Sequence, residues 1–265
     1  MQTTQYQNLR YDSQNGICTL TLNRPQVYNA LSTELIEEIT DAVRRAGEEE
    51  AVRVVVITGA GDKAFCSGAD LKQGMGGAQR PNFSERLRTG YNPMILGIRN
   101  LGKPVICRLN GIAAGAGCSL ALACDLIVAS EGASLVELFV NIGLIMDAGS
   151  SYFLPRLVGS ARAFELCSTG RPVSAREALE LGLVNRVVPA SGLDEAVDQL
   201  TAYYSQAPTI AIGLMKKLLN QSHASTLEQM LELEAACQDI AGNTLDSREG
   251  VLAFLEKRKP RFSGQ

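Results

Sequence analysis

Apolar and polar positions alternate at period two over Ile17-Cys18-Thr19-Leu20-Thr21-Leu22, which predicts a strand. Beyond the loop Asn23-Arg24-Pro25 the period lengthens. Leu35, Ile36, Ile39, Ala42 and Val43 recur at helical spacing behind Ser32, whose hydroxyl suits a helix start. Val52 to Thr58 is a continuous β-branched run, as expected of a strand buried on both faces. Residues 72–82, rich in Gly and Gln with Pro81 near the end, predict a mobile loop. Phe83 to Arg99 predicts a helix ending near Gly102-Lys103-Pro104, and residues 72–95 together suit a lid. Val105 to Leu109 is a second buried strand, a small-residue helix starts near Ala116, and Leu126 to Ala129 returns as a strand. The pattern to this point is α/β.

From Asp147 onward helical spacing dominates: Ser151–Val158, Ala161–Thr169, Ser174–Leu181, Leu193–Gln206, Ile210–Gln221, Leu227–Ala241 and Ser247–Lys257. Only Val184 to Val188 interrupts as a short strand. The composition shifts near residue 200, which predicts an α/β core over 1–200 and a helical region over 201–265.

With 265 residues, 46% of them hydrophobic, the chain can bury a large core. Its formal net charge of −3 supplies no general attraction to nucleic acid or to an anionic membrane, so an anionic ligand must be met locally. The seven cysteines are scattered among apolar neighbours, which suits reduced core thiols and a reducing compartment. One histidine and no Cys/His spacing of the metal-binding kind predict no metal site. The first residues lack a secretory pattern, and no apolar run is long enough to span a bilayer. The cytoplasm is therefore the expected location.

Two small-residue turns, each after an apolar run, carry the candidate chemistry: Phe65-Cys66-Ser67-Gly68-Ala69-Asp70-Leu71, and Gly111 to Asp125. Without bulky side chains both leave backbone N–H groups open to a ligand, and two such donors converging on one point can hold an oxyanion. The same glycines would equally serve close helix–strand packing. Gly59-Ala60-Gly61-Asp62-Lys63-Ala64 follows a strand like a dinucleotide fingerprint, but Phe65 to Ala69 breaks the helix that should open there. Gly117-Cys118-Ser119-Leu120-Ala121 approaches a serine nucleophile elbow, yet the sole histidine, His223, lies in a polar stretch predicted to be solvated.

Seven motifs in order resemble the enoyl-CoA hydratase/isomerase (crotonase) superfamily: Asn23-Arg24-Pro25 with Asn29-Ala30-Leu31; Ala64 to Leu71; Lys103-Pro104-Val105-Ile106; Asn110-Gly111 through Cys124-Asp125; Gly143-Leu144-Ile145; Leu154 to Gly159; and Ala253 to Arg258. The resemblance spans essentially the whole chain. It implies the crotonase fold, a spiral of ββα units with a C-terminal helical region that trimerises, often into a hexamer. It implies a coenzyme A thioester as substrate, with no separate cofactor because coenzyme A belongs to the substrate. The thioester oxygen would be held by two backbone N–H groups, placed by the resemblance on Ser67 and Ala116. Coenzyme A would lie along Arg24, Val27, Ala69, Asp70 and Leu71, with Lys257, often from a neighbouring subunit, reaching its phosphates.

Hydratases of this superfamily use two glutamates to handle water; the corresponding positions are Ser119 and Phe139, neither able to exchange a proton and both expected to line the substrate pocket. Glu137 stands two residues from the second position. Asp147, four residues after Gly143, falls where double-bond isomerases of the family place a carboxylate. One such base can take a proton beside the thioester and return it at the γ carbon. Asp147 could also cap the helix that follows. The resemblance thus favours an enoyl-CoA isomerase (Δ3 to Δ2, or ring-type). A 2-enoyl-CoA hydratase of altered site, a dehalogenase-like enzyme and a non-catalytic acyl-CoA binding protein are the alternatives.

Overall fold

The alternating segment forms a strand and turns back on a neighbour that the pattern did not reveal. In the computed structural model, which describes residues 6–74 and 82–265, β1 (Leu9–Gln14) pairs antiparallel with β2 (Ile17–Leu22). Asn15 and Gly16 join them with φ of 52° and 82°, the left-handed geometry a two-residue hairpin requires. The remaining strands are β3 (Val54–Gly59), β4 (Ala64–Cys66), β5 (Val105–Leu109), β6 (Ile112–Ala114), β7 (Leu126–Ser130), β8 (Ser134–Val136), β9 (Pro172–Ser174) and β10 (Arg186–Val188).

They build a six-stranded sheet, β1-β2-β3-β5-β7-β10, and a four-stranded sheet, β4-β6-β8-β9. The successive pairs β3–β4, β5–β6 and β7–β8 each give one strand to each sheet, with helix following. This is the crotonase spiral of ββα units that the resemblance implied. From β2 through β10 the larger sheet is parallel.

Burial on both faces explains the unbroken apolar strands. Val55, Ile57, Val105 and Cys107 face the main core beneath helices Thr33–Glu48 and Asn92–Asn100. Val54, Val56, Ile106 and Val128 face Leu193, Ala196 and Val197 of helix Leu193–Tyr204. Ser32 caps the first long helix as predicted, accepting the Leu35 N–H at 3.2 Å. All seven cysteines are free thiols, six of them buried.

Helices Thr209–Ser222, Leu227–Gly242 and Leu245–Leu255 close the chain. The first is tied to the core by Lys216, whose Nζ sits 2.7 Å from Asp125 Oδ2 and donates to the Ile98 carbonyl at 2.8 Å. Burial lowers the Lys216 pKa and the Asp125 carboxylate opposes that fall.

The predicted helix Phe83–Arg99 is not continuous. Phe83–Arg86 is α-helical, Leu87–Tyr91 widens into a π-turn, and Asn92–Asn100 resumes the α-helix. Pro93 has no N–H to offer a carbonyl of the preceding turn, which interrupts the regular ladder there. The central part of the predicted loop, residues 75–81, lies outside the described residues.

Candidate active site

The first loop is fastened onto the turn after β4. Asn29, fully buried with φ 56°, donates from Nδ2 to the carbonyls of Ala60 and Ala64, while its Oδ1 accepts the Arg24 N–H. Arg24 pairs with Asp70 at 2.9 Å and donates to the Ala30 carbonyl. Leu31 N–H donates to the Gly68 carbonyl at 2.8 Å, and Asp70 N–H to the Leu31 carbonyl at 3.0 Å. Arg24 and Asp70, two residues expected along coenzyme A, therefore hold each other and fix the loop.

Two glycines draw the small-residue turns together. A Cβ on Gly117 would lie 2.3 Å from the Cys66 carbonyl oxygen, so only glycine lets the helix Ala116–Leu122 sit this close to β4. Gly68, at φ 94°, has no room either, for a Cβ would meet the Ala114 carbonyl oxygen at 2.7 Å. Ala116 opens its helix, so its N–H has no partner within the helix.

On the facing turn the structure corrects the expected donor. Ser67 N–H is already committed to the Tyr28 carbonyl at 3.0 Å, whereas the N–H of Ala69 carries no bond among the described backbone pairs. The open pair of donors is Ala69 and Ala116. A β-bridge between Leu31 and Ala69 causes the shift, because its hydrogen bonds use the groups flanking Ala69 and leave that N–H pointing the other way.

Both residues line a small pocket together with Asp147, Phe139, Tyr91 and Arg86. The buried Oδ1 of Asp147 has no hydrogen-bond partner among the described residues, and neither does the Tyr91 hydroxyl. Burial pushes the Asp147 carboxyl up to about 6, with the Arg86 guanidinium opposing the rise. Asp147 does not cap the following helix: the cap is Gly149, without a side-chain bond. A larger cavity lies between residues 92–102 and 210–221 and shares only Ala148 and Gly149 with the Asp147 turn. Its buried cation, Lys216, is bound to Asp125, whereas the smaller pocket joins the unpaired Asp147 oxygen to the Ala69 and Ala116 N–H groups.

The other predicted residues divide. Phe139 and the half-exposed Leu71 line the pocket. Val27 stands behind the turn, its carbonyl accepting the Ser67 hydroxyl at 3.3 Å. Ser119 does not reach the pocket: it is fully buried and bonded to the Asp147 carbonyl and to Ser150 Oγ. Its place one helical turn inside the small-residue helix turns it inward. Glu137 is likewise buried and turned toward Cys118 and Leu154 on the far side of that helix. Lys257 is exposed just beyond the last helix, and in this chain it is not among the residues lining the pocket. Tyr91, Arg86 and Ser150 escaped the sequence reading because they lie in no recognisable motif. Among the described residues no cluster of three or more His, Cys, Asp or Glu could hold a metal, and no helix is long and apolar enough to cross a membrane.

The family model for enoyl-CoA hydratase/isomerase matches residues 12–265. The chain belongs to that family. It is 38% identical over 256 residues to 1,2-epoxyphenylacetyl-CoA isomerase of Escherichia coli (strain K12), covering 95% of this chain and 97% of that protein. It is 40% identical over 260 residues to a Rhodobacter capsulatus protein named "Probable enoyl-CoA hydratase", covering 98% and 99%. The crystal structure of enoyl-CoA hydratase from Bacillus anthracis superposes with a TM-score of 0.90 at 38% identity, covering 98% of this chain and all of that one. Family members of this kind act on coenzyme A thioesters, and both isomerase and hydratase names occur among the relatives.

Proposed function

We propose that this enzyme isomerises the double bond of an enoyl-CoA, from Δ3 to Δ2 or within a ring, with Asp147 as the single acid/base. The carrying observation is that Asp147 brings an unpaired buried carboxylate oxygen into a pocket that also holds the open N–H groups of Ala69 and Ala116. The Asp147 carboxylate removes a proton from C2 of a 3-enoyl thioester. Charge moves onto the thioester oxygen, where the two N–H groups meet it, and the carboxyl returns the proton at C4. A carboxyl near 6 is mostly ionised at neutral pH yet basic enough to take the proton and give it back.

The pocket's other carboxylate, Asp70, is bound to Arg24, and among the described residues no further acid stands opposite Asp147. Phe139 fills the place of a second acid with a ring, Ser119 is buried behind the wall, and Glu137 faces another cavity. The relative named as an isomerase of an epoxidised phenylacetyl-CoA agrees with an isomerase in this branch. A 2-enoyl-CoA hydratase is the second reading, favoured by the relatives named hydratase, and it would have to add water with Asp147 alone.

Coenzyme A, entering as part of the substrate, would follow the surface by Arg24, Val27, Ala69, Asp70 and Leu71. The C-terminal helices expose Leu219, Leu227, Leu231, Phe254 and Leu255, an apolar surface that suits assembly into a homotrimer or homohexamer. In such an assembly Lys257 could serve a neighbouring subunit. Sedimentation of the purified protein tests the assembly, with a monomer as the contrary result. Asp147→Asn tests the chemistry: acyl-CoA binding should persist while isomerisation is lost, and undiminished turnover would remove Asp147 from the mechanism.

A further inference from the structure

Behind Asp147 three buried oxygen contacts follow one another. Glu137 Oε1 lies 2.7 Å from Ser150 Oγ, Ser150 Oγ lies 2.8 Å from Ser119 Oγ, and Ser119 Oγ lies 2.9 Å from the Asp147 carbonyl oxygen. Each contact needs one proton, and the two serines own only two. An ionised Glu137 can only accept, so one of the three short contacts would then be left without a proton. A carboxylic acid at position 137 supplies the missing proton. The bonds then run in one direction: Glu137 Oε1–H to Ser150 Oγ, Ser150 O–H to Ser119 Oγ, and Ser119 O–H to the Asp147 carbonyl.

We infer that Glu137 is a neutral carboxylic acid heading this three-proton chain, and that through Ser150 and Ser119 it acts as a positioning residue for the Asp147 carboxylate. The positioning role rests on the isomerase reading of Asp147; the protonation state does not.

The surroundings of Glu137 agree. Its Oε2 has no hydrogen-bond partner among the described residues, which a buried carboxylate would tolerate poorly. From the helix Ala116–Leu122 it faces the Cys118 thiol, and from the second part of the helical segment Ser150–Thr169, beyond its break at Gly159, the Cys167 thiol; burial pushes both thiols up, so neither supplies charge. Arg171, on the same cavity, is bound to Glu177 at 2.8 Å and Glu165 at 2.7 Å. Burial, reinforced by the Asp147 charge, favours the protonated form of Glu137 and outweighs the opposing effect of Ser150 and Cys118 beside it. At the other end of the chain the held carbonyl precedes Ala148, whose φ of 47° is strained for a residue with a Cβ. The Asp147 carbonyl also accepts the Ser150 N–H at 3.1 Å. Two donors on one carbonyl fix the peptide from which the Asp147 side chain projects.

The test compares the full-length protein with Glu137→Gln and Glu137→Val. An infrared difference spectrum of wild type minus Glu137→Gln at neutral pH should show the carbonyl stretch of a neutral carboxylic acid; carboxylate bands in its place would overturn the inference. Glutamine can donate from Nε2 along the same direction, so Glu137→Gln should retain turnover and lose any alkaline fall in kcat that the ionisation of Glu137 causes. Valine breaks the chain and should lower kcat roughly 10- to 100-fold with little change in KM, the effect of misplacing a reacting group by about an ångström. A glutamine variant as impaired as the valine variant would overturn the directed chain. Asp147→Asn separates the two layers: undiminished turnover there would overturn the acid/base reading, while the infrared band would still report the proton on Glu137.

Discussion

Replacing Asp147 by asparagine should abolish isomerisation and, at neutral pH, make the protein more stable. The carboxyl is held in an apolar pocket with one oxygen unpaired, and burial raises it from an ordinary 3.8 to about 6. The folded-state value lies above the unfolded one, so between these values the folded protein keeps a proton that the unfolded chain releases. Stability from this group is therefore complete below about 3.8 and is lost as the pH rises through about 6. Each tenfold change in proton affinity is worth about 1.4 kcal/mol, so the charged form costs the fold at most roughly 3 kcal/mol, and water reaching the half-buried side chain reduces this to about 1–2 kcal/mol. Asparagine carries no such charge. Unfolding by urea at pH 8 should give Asp147→Asn an advantage of about 1–2 kcal/mol that shrinks toward zero near pH 4, while kcat falls by orders of magnitude at every pH. An equal stability difference at both pH values, or a loss of stability at pH 8, would refute the desolvated-carboxylate argument.

Removing an oxyanion donor by Ala116→Pro should cost on the order of 10²–10³ in rate, checked in a variant whose circular dichroism is unchanged; normal turnover would exclude that N–H. Gly117→Ala places a Cβ 2.3 Å from the Cys66 carbonyl oxygen, so the two turns must part, and activity should fall about 100-fold with a stability loss of about 1–3 kcal/mol by urea denaturation. Arg24→Ala breaks the 2.9 Å pair with Asp70 and should raise KM for the CoA ester more than it lowers kcat, read from steady-state kinetics. Tyr91→Phe deletes a hydroxyl with no partner among the described residues; the fold should be unchanged or stabilised by up to about 1 kcal/mol, so a fall in kcat/KM would show that the hydroxyl meets the substrate.

Elements with a repeating signal were legible from sequence. The alternation at Ile17–Leu22, the β-branched run before Thr58 and the Ser32 cap each reflect a local physical demand, and each forms where expected. The strands β4, β6, β8 and β9 have three residues apiece, too few to establish a period, and they are specified by pairing across the chain. The same limit explains the misplaced oxyanion donor. Which N–H of Ser67-Gly68-Ala69 stays open depends on the bridge to Leu31 and the bond from Ser67 to Tyr28, both tertiary. Asp147 was legible only through the family resemblance, which places a carboxylate four residues after Gly143; its burial, the neighbouring Tyr91 and the serine chain behind it come from three separate segments meeting. Gly117 could be read from sequence as a close-packing glycine or as a ligand-approach glycine. Its position against Cys66 shows that one contact creates the space for the other.

The central claim is that Asp147 moves a proton within the acyl group and adds no water. Incubating the enzyme with a 3-enoyl-CoA, and separately with a 2-enoyl-CoA, in heavy water tests it most directly, following conjugation by absorbance and products by mass. Conversion of the 3-enoyl ester to its conjugated isomer, with no product heavier by one water, is the predicted result, and Asp147→Asn should stop it. Hydration of the 2-enoyl ester without isomerisation of the 3-enoyl ester would contradict the account.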